Sequence, residues 1–115
     1  MRGDDALLLD MLIAARKIQR FAAGMTLAEF HTNEMVQSAV IRELQVIGEA
    51  ARMVTDLTRT TCNAINWRAI AGMRNRLVHE YFSVQLDVIW KTVQTDLFPL
   101  IAQLEQYVPP DLGMI

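Results

Sequence analysis

Apolar residues recur with a helical period along almost the whole chain. Leu7, Met11, Ala14, Ile18 and Phe21 fall at three- and four-residue steps, with Asp10, Lys17 and Arg20 elsewhere on the wheel. Asp4 or Asp5 is placed to cap this first helix, and Gly24 stands where its end wants a left-handed residue. Thr26-Leu-Ala-Glu29 reads as a capping box that opens a short second stretch at once, with His31-Thr-Asn33 as a break. Val40, Leu44, Ile47, Ala51 and Val54 then form one stripe over about four turns. Gly48, Ala50 and Ala51 make that helix thin, which lets another helix approach closely. Residues 57–66 lose the period, are rich in Thr and Asn, and are predicted to be the longest loop. Asn66 is placed to cap a helix from Trp67 to about Tyr81, and Ser83 to cap the last one, which carries Leu86, Ile89, Trp90, Val93 and Leu97. Pro99 lies inside this final pattern and is expected to kink or restart it; Pro109-Pro110 stop it.

No strand alternation, glycine-rich phosphate loop, internal repeat or low-complexity tract interrupts this pattern. At 115 residues the chain makes one domain, spanning 1–115. Four main helices with short connections predict an all-α, antiparallel up-and-down bundle. A chain of this length buries roughly two thirds of its unfolded surface, so it needs no disulfide or metal staple. Hydrophobic residues make up 52%, with seven Met, which leaves two readings: a generous core, or apolar surface kept for a partner.

Charge narrows the partners. The net charge is −2 and the pI near 5.6, which excludes holding nucleic acid by bulk electrostatics. Contact with RNA or DNA must be local, or be built by two chains together. The single Cys62 has no partner for a disulfide and no CxxC or Cys/His neighbour for a metal, which fits a reducing, cytoplasmic setting. The apolar run 6–15 is preceded or interrupted by Asp4, Asp5 and Asp10 and followed by Arg16, Lys17 and Arg20, the wrong order for a secretory signal. No stretch approaches the roughly 20 apolar residues of a membrane span, so the chain is expected to be neither exported nor membrane-embedded.

The chemistry concentrates in Met73-Arg74-Asn75-Arg76-Leu77-Val78-His79-Glu80-Tyr81. At about 100° per residue, Ile70, Leu77, Val78 and Tyr81 lie within roughly 60° of Arg74. Arg74 therefore points along the apolar stripe, where an unpaired guanidinium is costly. It needs an acid, a partner surface or a ligand. Asn75 and His79, four apart, share the edge of that stripe, whereas Arg76 faces nearly the opposite way, into solvent. On spacing alone a structural reading stands beside the functional one: Arg74 paired with a buried acid such as Glu49, and His79 a hydrogen-bonded interior histidine.

Arg74, four residues, His79, one residue and Tyr81 match the Arg-x4-His-x-Tyr signature of HEPN domains, and the chain resembles the HepT-type toxins of HepT/MNT toxin–antitoxin modules. The likeness covers most of the chain. Arg42-Glu-Leu-Gln-Val-Ile-Gly48-Glu-Ala-Ala resembles that family's glycine–glutamate helix. Asn66-Trp67-Arg-Ala-Ile-Ala-Gly-Met-Arg74-Asn75 is similar to its approach to the motif, and Val88-Ile-Trp90 to its last helix.

The resemblance implies a metal-independent ribonuclease, without cofactor, working as a homodimer with the motif at the dimer cleft. The sequence is compatible, since it lacks the clustered carboxylates that hold catalytic Mg²⁺. Cleavage by 2′-OH attack needs a base, an acid and a cation for the phosphorane. His79 suits proton transfer, Arg74 a bidentate phosphate contact, and Asn75 the orienting of either. Since His31 lies far off in sequence, two chains would be needed to supply two histidines. Arg74 and His79 also diverge by roughly 140° on their helix, which a composite cleft accommodates. Tyr81 either closes the core beside Leu77 or, as the resemblance implies, is the tyrosine that an MNT-type nucleotidyltransferase antitoxin adenylylates. Glu49 is the residue placed to hold Arg74. The alternative is a non-catalytic helical module that docks a nucleotidyltransferase or a nucleotide, which the acidic pI favours.

Overall fold

The computed structural model describes residues 2–79 and 85–109, with the side chains of residues 78 and 79 outside the description. The described residues are helical with short connections and contain no strand. Helix α1 spans Asp4–Ala22, α2 Leu27–Thr32, α3 Glu34–Met53, α4 Asp56–Thr61 and α5 Trp67–His79. After them come α6 (Leu86–Lys91), a π-helical turn (Thr92–Asp96) and α7 (Leu97–Tyr107). Helix α3 is the hub. It packs most extensively on α1 and next on α5, while α7 closes against α1.

The core follows the apolar periods. Leu7, Met11, Ala14 and Ile18 of α1 are buried with Val40, Leu44, Ile47 and Ala51 of α3, whereas Phe21, expected on the same stripe, is 37% exposed. Phe30 of α2 is fully buried and meets Trp90 of α6 with ring centroids 5.1 Å apart. No helix among the described residues is long and apolar enough to cross a membrane.

Several local expectations hold for visible reasons. Thr26 Oγ1 accepts from the Glu29 amide at 3.1 Å and the Glu29 carboxylate accepts from the Thr26 amide at 2.9 Å, a reciprocal box. Gly24 has φ +71°, in the region that side chains with a Cβ avoid. Asn66 Oδ1 accepts from the Ala69 amide at 3.0 Å and starts α5. Before Pro99 the helix stays continuous but changes register. The Leu97 amide donates to Thr92 O across the π turn, and α7 begins two residues before the proline. Pro99 thus falls in the first turn of α7, directly after the π turn has already interrupted the regular α-helical ladder.

Two of the local expectations fail, and a third lies outside the described residues. Neither Asp4 nor Asp5 caps α1: the cap position is Gly3, without a side-chain bond. Asp4 instead reaches across to α4, accepting hydrogen bonds from the hydroxyls of Thr55 and Thr58. The predicted loop 57–66 contains most of α4, a helix with no buried residue. An amphipathic period cannot reveal such a helix. Thr55 caps it, and Arg59 ties it to the end of α3 by donating to the carbonyls of Ala51 (3.0 Å) and Arg52 (3.1 Å). The last helical stretch starts at Leu86 behind Gln85, which makes no side-chain cap; Ser83 lies outside the described residues.

A candidate active site at the α3–α5 crossing

Gly48 sets the distance between α3 and α5. A Cβ built on it would lie 2.6 Å from Arg74 Cβ and 2.7 Å from Cγ, so only a residue without a side chain lets the stem of Arg74 cross here. Helix α5 therefore sits directly on α3 at the motif's first residue. The next residue of α3, Glu49, then reaches the guanidinium.

The carboxylate of Glu49 is divided between two arginines. Its Oε1 accepts from Arg74 Nε at 2.9 Å and lies 2.8 Å from Nη2. Its Oε2 accepts from Nε and Nη2 of Arg52, both at 3.3 Å. The hydrogen bond from Arg74 holds the Glu49 carboxyl below its usual range, against a smaller opposing push from burial. The pairing of Arg74 with Glu49 is the one expected, but the acid is not buried: the Glu49 side chain is 45% exposed and that of Arg74 25%. Arg74 Nη1 turns the other way and donates to Asn75 Oδ1 at 3.4 Å, and Asn75 is exposed.

Arg74, Asn75 and Glu49 are thus brought together. His79 is the last residue of α5, one turn beyond Asn75, and its side chain lies outside the described residues, as does Tyr81 altogether. His31 is engaged elsewhere, its Nε2 paired with Asp87 of α6. Among the described residues no group of three or more His, Cys, Asp or Glu could hold a metal ion. Cys62 is buried and unpaired by disulfide, and its burial pushes the thiol above the ordinary range.

A groove of about 260 Å³ opens beside Arg74 and Asn75, walled by Arg52, Arg59, Arg68 and Trp67. The sequence gives little sign of this wall, because its arginines are scattered over α3, α4 and α5 and form no basic run. The one legible signal is Arg52, three residues after Glu49 and so on the same helix face. A larger groove, about 610 Å³, lies between α5 and the π turn with the start of α7, and is bordered by Arg68 and Arg76.

Comparison with known proteins gives a consistent picture. The family model for HepT-like ribonucleases matches residues 11–107. MJ1380 of Methanocaldococcus jannaschii, a protein named as a candidate RNase, is 34% identical over 104 residues, covering 90% of this chain and 95% of the relative. A candidate ribonuclease HepT from Thermococcus cleftensis is 35% identical over 97 residues, 84% of this chain and 88% of that one. TTE0752 of Caldanaerobacter subterraneus, another candidate RNase, is 32% identical over 83 residues, 72% of this chain and 74% of its own. No solved structure matches the chain.

Proposed function

The chain belongs to the HepT-like ribonuclease family, and on that premise we propose that it is a metal-independent endoribonuclease, the toxin of a two-gene module. Two copies, each an antiparallel bundle of four main helices, form the working dimer. Their cleft holds two copies of Arg74, Asn75 and His79. One His79 takes the proton of the 2′-hydroxyl as its oxygen attacks the adjacent phosphorus. The other returns a proton to the departing 5′-oxygen, leaving a cyclic phosphate. Arg74 neutralises the crowded phosphorane, and Asn75 orients the phosphate or the histidine. An MNT-type nucleotidyltransferase silences the protein by adenylylating Tyr81.

The observation that best supports this reading is the Arg74–Glu49 pair, with one guanidinium edge fixed and Nη1 directed toward Asn75. A guanidinium already aimed by its own chain loses less freedom when it takes up phosphate. Glu49 is in this reading the holder of Arg74 and does no chemistry.

The test is cleavage of RNA by purified protein in the presence of EDTA. Wild type is expected to cut, and His79→Ala to lose about 10²- to 10⁴-fold in rate, the typical share of one acid–base group. An unchanged helical circular-dichroism spectrum would show that the variant folds. Full activity in folded His79→Ala protein would falsify the mechanism. Loss of wild-type activity in EDTA would point to a metal site instead. A wild-type protein that cuts nothing yet binds the nucleotidyltransferase would favour the non-catalytic docking module.

A further inference from the structure

The groove beside Arg74 gathers four arginines, Arg52, Arg59, Arg68 and Arg74. Arg59 is spoken for: it closes the end of α3, pairs with Asp56 at 3.3 Å and adds to the field on Asp4. Of the other three guanidinium groups, Arg52 and Arg74 share one carboxylate, Glu49. Arg68 makes no hydrogen bond or ion pair among the described residues and is exposed. A chain with net charge −2 therefore carries a local excess of two positive charges in one groove.

The groove is also long and firm. From Trp67 to Asn75 it follows α5 for eight residues, about 12 Å at 1.5 Å per residue. It ends one turn short of His79. At the far end Trp67 presents a partly buried indole, whose Nε1 is tied to Cys62 O at 3.1 Å, so the ring is held in place. Guanidinium groups beside a fixed aromatic ring form the combination that single-stranded nucleic acid uses, phosphates on the cations and a base against the ring.

We infer that this groove carries the single-stranded RNA backbone that flanks the cut site, with Arg68 and Arg52 binding phosphates and Trp67 stacking a base. The inference rests on the ribonuclease reading above and adds residues outside the motif to its substrate site. It also explains how an acidic chain holds RNA, through a local stripe rather than bulk charge.

Binding is measured by fluorescence anisotropy of a labelled oligouridylate across a range of salt concentrations, using the full chain with His79→Ala so that the RNA stays intact. Each phosphate contact on a single strand contributes about 0.7 to the slope of log affinity against log salt. Arg68→Gln and Arg52→Gln are each expected to weaken binding and to lower that slope by about 0.7. Arg76→Gln, which borders only the larger groove, should change neither. Trp67→Leu should weaken binding without changing the slope, because stacking releases no counterions. Unchanged affinity and slope in Arg68→Gln would overturn the inference. So would an Arg76→Gln loss as large as that of Arg52→Gln, which would put the RNA in the larger groove or make the attraction diffuse. Nuclease activity is scored separately: RNA bound through Arg68 but never cut would leave the groove standing and remove the ribonuclease reading. RNA cut by a protein indifferent to Arg52 and Arg68 would do the reverse.

Discussion

Replacing Gly48 with alanine tests the crossing on which the site depends. The added carbon would sit 2.6 Å from Arg74 Cβ and 2.7 Å from Cγ, where contacting carbons prefer about 3.5–4.0 Å. The Cα of Arg74 is also only 3.4 Å away, so rotating the side chain relieves little. The helices must part by about 1 Å. Overpacking of this kind costs about 1–3 kcal/mol, and the better helix propensity of alanine returns about 1 kcal/mol. A net loss of up to about 2 kcal/mol is expected, read as a lower urea midpoint at unchanged m and fixed protein concentration. Displacing the guanidinium by that distance should also slow RNA cleavage by about 10²-fold. Gly72→Ala is the internal control. Its Cβ would meet only Arg76 Nη1, at an ordinary 3.8 Å, so propensity alone should raise stability by about 1 kcal/mol. If Gly48→Ala proves as stabilising as Gly72→Ala, α3 and α5 do not cross as described.

Two further outcomes follow from the site. Glu49→Gln should be less stable than wild type at neutral pH, and the difference should shrink as pH falls below about 4.5, the ordinary glutamate value. The sign follows from the lowered carboxyl: its contribution is complete above the unfolded value and is lost as pH drops through the folded one. A urea series at several pH values reads this, and a pH-independent difference would contradict it. For Tyr81→Phe, intact-mass spectrometry after co-expression with the nucleotidyltransferase should find no added AMP, whereas wild type gains one unit or more; the same added mass on both would move the modification elsewhere.

What the sequence reveals divides by physical kind. Elements held by an apolar stripe are legible, so α1, α3 and α5 stand close to where the periods put them. Caps made by neighbours in sequence are legible too, as at Thr26 and Asn66. Bonds that depend on tertiary approach are not. Asp4 looks like a cap for its own helix and instead anchors another more than fifty residues away, and α4 buries nothing that could betray it. The site divides the same way. Gly48 is visible as thinness and Glu49 as the acid beside it, so their meeting with Arg74 could be anticipated. That Arg52 takes the second oxygen of Glu49, and that Arg68 and Trp67 extend the groove, needs the helices brought together. The motif's own His79 side chain and Tyr81 lie outside the described residues, and the roles proposed for them rest on the match in sequence.

The π turn at Thr92–Asp96 can be read as a slip of one residue in the frame of the last helix. Buried positions along it are Ile89, Val93, Leu97, Ile101, Leu104 and Val108, opening with three successive steps of four. On a regular helix each such step turns the face by about 40°, so three would carry Ile101 about 120° off the core. The wider π turn takes up that drift and returns Leu97 to the inside, and α7 can keep its seat on α1. Deleting one exposed residue, such as Gln94, would restore an alternation of four and three that a regular helix satisfies unaided. Pro99 would then fall inside an unbroken helix, its ring against the carbonyl four positions before it. The extra residue and the proline are thus two halves of one arrangement, and neither can be removed alone without cost to the other.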